Sequence, residues 1–69
     1  MMERYYVNNH AQSNGDHEVH KAGCYYLKLA ISTTDLGNHT GCYSAVVAAK
    51  QIYKQSNGCI YCSPSCHTS

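Results

Sequence analysis

His20 and Cys24 stand four residues apart, and farther along the chain Cys59 and Cys62 stand three apart. These half-sites, His-x3-Cys and Cys-x2-Cys, together offer three thiolates and an imidazole, the ligand set of a closed tetrahedral zinc site. The plainer alternative is a pair of buried thiols with a surface histidine, and the doubled spacing favours zinc. Cys66 and His67 follow closely enough to replace one of the four ligands, and His17 lies near His20. His10, His17 and His39 otherwise read as polar surface residues.

Other chemistry fits these residues less well. A redox pair at Cys59 and Cys62 would need a helix N-terminus or a neighbouring cation to lower the thiol pKa. Here Cys59 is expected just after a helix C-terminus, where the dipole has the opposite sign. A catalytic zinc needs an open coordination position and a general base. Glu18 is the only acidic residue close to either half-site, and the chain has neither a glycine-rich phosphate loop nor a hydrolase serine motif. A structural metal is the reading that uses all four ligands.

The remaining composition explains why a metal would be needed. The chain has 69 residues, no Phe or Trp, and only three Leu, three Ile and four Val. A chain this short buries too little surface to be held by apolar packing alone. Disorder from low hydrophobicity usually comes with high net charge, and the formal net charge is only +1. Five cysteines cannot all pair within one molecule, which favours a metal over a disulfide framework. The first residues contain no apolar signal region and no run reaches the length of a membrane span, so a cytoplasmic setting with reduced thiols is expected.

The half-sites must be positioned by short elements. Residues 4–8 are β-favouring and end at a polar stretch containing Asn14-Gly15, a strong hairpin turn pair. Residues 17–20 are the expected return strand, with Val19 on one face and Glu18 and His20 on the other. Residues 25–31 alternate Tyr25, Leu27, Leu29 and Ile31 against Tyr26, Lys28 and Ala30, which predicts a third strand. Residues 32–39 are rich in turn formers, with a short extended piece around Leu36.

A helix is predicted next, because Cys42, Ala45, Val46, Ala49, Ile52 and Tyr53 recur at three- and four-residue intervals. Thr40 is its expected N-cap and Gly58 its expected stop, so the helix would deliver Cys59 directly. Cys42 reads as a buried core thiol. Tyr25, Tyr53 and Tyr61 are candidates to complete the core in place of the missing Phe. Residues 63–69 read as a terminal arm.

One family resemblance uses the residues now named. The order Val19-His20-x3-Cys24-Tyr25-Tyr26-Leu27, then Leu36-Gly37, a helix with Ala45 and Ala49, and Gly58-Cys59-x2-Cys62 resembles zinc modules related to the metal-binding domain of the Ada DNA-repair protein. That resemblance spans residues 19 to 62 and implies zinc held by strands and one helix. The Ada domain has Cys at both positions of its first knuckle, and the first accepts a methyl group from a DNA phosphotriester. His20 occupies that position here, so methyl transfer is not carried over. Tyr61-Cys62-Ser63-Pro64-Ser65-Cys66 also resembles that knuckle, but no Cys-x2-Cys follows it. The whole chain further resembles short bacterial proteins of unknown function, which supplies no activity.

Together these readings predict an α+β fold: a small zinc-stapled domain over residues 1–62 with two or three short antiparallel strands plus one helix. Zinc would be held by His20, Cys24, Cys59 and Cys62. The expected role is non-enzymatic, an adaptor or inhibitor whose tyrosines dock on a larger protein, with no membrane partner. Small phage and mobile-element proteins are often of this kind. Nucleic-acid binding by tyrosine stacking is the alternative. Against it, Arg4, Lys21, Lys28, Lys50 and Lys54 are scattered, and the low net charge offers little counterion-release affinity. An enzyme is the minor alternative, with Cys66 or His67 beside an incompletely filled zinc site.

Overall fold

The computed structural model describes residues 2–68. Its first two strands, β1 (Glu3–Asn8) and β2 (His17–Lys21), form the expected antiparallel hairpin, with Val7 opposite Val19 and Tyr6 opposite His20. Gly15 takes a φ of +94° in the connection. The Asn14 side chain accepts a bond from the Asp16 N–H, 2.9 Å away, which closes the turn locally. Gln55 then reaches across and donates to both the Asn14 carbonyl and the Asp16 carboxylate. Hydrogen bonds from Gln55 and Asn57 hold the Asp16 carboxyl below its usual pKa.

The third strand is not where alternation placed it. Residues 25–31 contain a short helix, α1 (Tyr25–Leu29), with no buried residue, and Ile31 beyond it is exposed. Both sides of the hairpin are instead paired with other segments. One side of the hairpin is taken by β3 (Thr33–His39), antiparallel to β1, and the other by β4 (Ser56–Gly58), parallel to β2. The sheet order is β3-β1-β2-β4. In β3, Leu36 is the extra residue of a bulge between the Tyr5–Gly37 and Tyr6–Asp35 pairs. Arg4 and Asp35 form an ion pair across this register.

The predicted helix is present but shorter. Helix α2 (Cys42–Lys50) starts after Gly41 rather than Thr40, and Gln51 is its C-cap. The N–H groups of Ile52 and Tyr53 both bond the Ala49 carbonyl, ending the helix well before Gly58. Ile52 therefore faces solvent. Tyr53 turns back to the sheet, stacks on His17 with ring centroids 3.8 Å apart, and donates to Asn9 Oδ1 at 3.0 Å.

Ala45 and Ala49 pack on Tyr5, Val7 and Val19, with Leu36, Cys42, Val46 and Tyr53 around them. Small alanine side chains let α2 approach the sheet closely, and the core is as slight as the composition implies. Tyr5 fills it, whereas Tyr25 and Tyr61 are exposed. Among the described residues no helix is long and apolar enough to cross a membrane.

Candidate metal centre

Parallel pairing of β2 with β4 joins the two half-sites. The register sets His17 beside Ser56, Glu18 beside Asn57 and Val19 beside Gly58, and the Cys59 N–H extends the ladder by bonding the Val19 carbonyl at 3.0 Å. His20 and Cys59 are thus brought together, each 1 % exposed. Side chains alternate across a strand, so Val19 enters the core under α2 while His20 points to the other face. Both are buried, Val19 in the apolar core and His20 in the group it forms with Cys24, Cys59 and Cys62.

Tight turns bring in the other two residues. After β2 the Cys24 N–H bonds the Lys21 carbonyl, and Gly23 takes a φ of +89° that a side chain would strain. Cys24 then sits at the N-cap of α1, its carbonyl accepting the Leu27 N–H. On the other knuckle the Ser63 N–H bonds the Cys59 carbonyl at 2.8 Å, folding Cys62 back toward His20. Helix α1 is therefore the continuation of the first knuckle.

The four side chains offer ligand atoms that all lie within 4.8 Å of one another. His20 Nδ1 is 3.7 Å from Cys24 Sγ and 3.8 Å from Cys62 Sγ. The four are close enough together to hold a metal ion. Glu18 Oε1 lies 3.8 Å from His20 Nε2. A carboxylate there favours a proton on Nε2 and leaves the Nδ1 lone pair facing the thiols.

Burial and mutual contacts set the proton affinities of these side chains. Burial lowers the His20 pKa, so its imidazole is neutral and able to ligate. Burial opposes ionisation of Cys24, but hydrogen bonding from the Cys62 thiol and the Tyr26 and Leu27 N–H groups outweighs it and lowers that pKa. Cys62 is pushed up to about 12, by burial and by its place beside Cys24. The Lys21 N–H also donates to Cys62 Sγ at 3.3 Å, as backbone amides do around a bound thiolate.

Three sequence expectations change here. Cys42 is a disulfide partner of Cys66, not a core thiol, which also removes Cys66 from the possible ligands. His67 bonds the Gly58 carbonyl through Nδ1, and His17 is held by Tyr53 and the Asn8 carbonyl. The odd cysteine count divides into one bridge and three free thiols. A disulfide and a His/Cys cluster that could hold a metal thus occur together in the chain. No sequence spacing marks the bridge, because its two cysteines are 24 residues apart and meet only through the fold.

Gly58, next to Cys59, is there for space. A Cβ on it would come within 2.7 Å of Cys66 Cβ and 2.9 Å of the Ser63 carbonyl oxygen. Gly58→Ala is expected to destabilise the protein by about 1–3 kcal/mol, the usual range for overpacking. A thermal melt at saturating metal checks this, and an unchanged midpoint would contradict the close packing of β4 on the segment after Cys62.

Tyrosines decorate the outside of the metal centre. Tyr26 and Tyr61 stack with centroids 4.5 Å apart, and Tyr25 meets Tyr26 edge-on at 5.3 Å. Ile60 and Leu29 are exposed nearby in the sequence. Among the described residues there is no pocket. No protein-family model matches the chain, and neither the curated proteins nor the solved structures hold a match to it. Of the likeness to Ada-type modules, what the structure supports is a His/Cys cluster that could bind a metal.

Proposed function

We propose that His20, Cys24, Cys59 and Cys62 hold one zinc ion as a closed structural site, and that the protein is a non-enzymatic binding module. It acts as an adaptor or inhibitor, docking on a larger protein through the tyrosine surface that the metal centre holds in place. The observation carrying the metal reading is the convergence of four ligand atoms within 4.8 Å. Three sulfurs and one nitrogen suit zinc among the common divalent metals. A site filled by four protein ligands leaves no open position for a reacting water.

Exposed Tyr25, Tyr26 and Tyr61 support a protein partner, since tyrosine is enriched at such interfaces. Nucleic acid is less well supported. Arg4 is paired with Asp35 and Lys21 lies 3.9 Å from Glu3, so two of the five cations already face carboxylates. A cytoplasmic setting suits the three free thiols; there, the Cys42–Cys66 bridge would be a regulated state rather than a permanent staple.

Native mass spectrometry of protein purified without added metal is expected to find one zinc, lost on acid denaturation. Affinity capture should recover a protein that a Tyr26→Ala/Tyr61→Ala variant, still loaded with zinc, fails to hold. Recovery of nucleic acid instead, released steeply by salt, would reverse the two partner readings.

Proton release offers a separate check. Cys62 holds its proton in the metal-free protein, with a pKa pushed up to about 12, whereas His20 is already neutral. Zinc binding near pH 7 is expected to release protons, that of Cys62 among them, and affinity should fall as pH is lowered. Calorimetry in buffers of different ionisation enthalpy reads the number, and zero release would exclude thiolate ligation.

A further inference from the structure

We infer that the Cys42–Cys66 bridge is a redox-sensitive strap on the metal knuckle, so that its reduction by a dithiol weakens metal binding at His20, Cys24, Cys59 and Cys62. The inference rests on the zinc reading above and adds a means of regulating that site.

Cys66 follows Cys62 by four residues, in a single 3-10 turn, Pro64–Cys66. This segment folds back over the strand that delivers Cys59. Cys66 Cβ sits against Gly58, in the space a side chain there would need. His67 Nδ1–H donates to the Gly58 carbonyl at 3.0 Å, and the Thr68 N–H donates to Asn57 Oδ1 at 3.0 Å. Ser63 is buried, and its N–H bonds the Cys59 carbonyl. Each of these contacts bears on β4 or on Cys59, and the covalent link that fastens the segment to the far side of the core is the bridge to Cys42.

Cys42 is the first residue of α2, and both bridge cysteines are partly exposed, within reach of a small reductant. Reduction runs by ordinary exchange. A dithiol thiolate attacks one bridge sulfur, forming a mixed disulfide and expelling the other sulfur as a thiolate. The second thiol of the reductant then displaces the first protein sulfur. The reductant leaves as a disulfide, and both protein sulfurs become thiols with its two protons.

With the bridge open, the segment after Cys62 must be ordered anew each time the metal binds, and that ordering entropy opposes binding. Coupling between two sites is reciprocal. A bound metal should favour the bridge in turn, because it occupies Cys24, Cys59 and Cys62 and leaves only Cys42 and Cys66 free to pair.

The test compares zinc affinity, by competition with a chromophoric chelator in reductant-free buffer, between oxidised wild-type protein and a Cys42→Ser/Cys66→Ser variant. The variant is expected to bind zinc about ten- to a hundredfold more weakly, with faster release. A second measurement serves if the variant folds poorly: zinc-loaded wild type is reduced with a phosphine and alkylated at Cys42 and Cys66, and its zinc release rate is compared with that of the bridged protein. Equal affinity and equal release with and without the bridge would overturn the strap and leave the zinc site standing. Failure of the oxidised wild type to bind zinc would overturn the site itself and the strap with it.

Discussion

Cys59→Ser is expected to abolish stable zinc binding and leave the protein without a cooperative fold. Cys59 is almost fully buried, and its thiol is one of three that converge on His20. A serine hydroxyl is a poor zinc ligand, and burying it there exchanges a polarizable sulfur for a group that needs its own hydrogen bond. Structural zinc contributes an apparent free energy of about 10–16 kcal/mol, against a total stability of about 5–15 kcal/mol for ordinary domains. Little else in this chain could compensate, since the buried apolar core amounts to Tyr5, Val7, Val19, Ala45 and Ala49. Zinc content by native mass spectrometry and amide dispersion by NMR read the outcome. A well-dispersed, metal-free Cys59→Ser spectrum would show that the apolar core is sufficient. Cys62→Ser should be milder, because Cys62 is only half-buried and water can reach the vacated position.

Loss of the bridge is expected to have the second largest effect. Its cysteines are separated by 24 residues, and closing a loop of that length in the unfolded chain corresponds to about 3 kcal/mol in the chain-entropy account. The Cys42→Ser/Cys66→Ser variant, held at saturating zinc, should therefore unfold at lower urea and with a steeper transition, because the unbridged denatured chain is more expanded. Saturation separates this loss from the change in metal affinity inferred above. If the midpoint does not move, the bridge contributes nothing to stability.

The local signals that proved legible are those whose physics is local. Asn14-Gly15 marks a hairpin because a tight connection needs backbone that can take a positive φ, and Gly15 does. Ala45 and Ala49 mark a helix face because a 3.6-residue period puts them on one side, and both are buried against the sheet. The segment 25–31 is instructive in the opposite sense. Its two-residue alternation satisfies a strand as a pattern, but β3 and β4 pair with the two sides of the hairpin, and the chain turns into a short helix directly from Cys24. The true third strand, Thr33–His39, was obscured by the turn-forming residues that build its bulge. The helix pattern was likewise carried too far, since Ile52 keeps the period while the backbone after Lys50 has already turned away.

By itself the sequence determined the ligand types and their spacing, the poverty of the core and hence the need for a staple, because these depend on residue chemistry and on near neighbours in the chain. The tertiary structure decided what brings the ligands together. Cys59 arrives on a strand parallel to β2, not from the end of a helix, and Cys42 meets Cys66 across the fold. Both are non-local pairings, selected by which sheet edge is free and which surfaces pack, and no spacing along the chain encodes them.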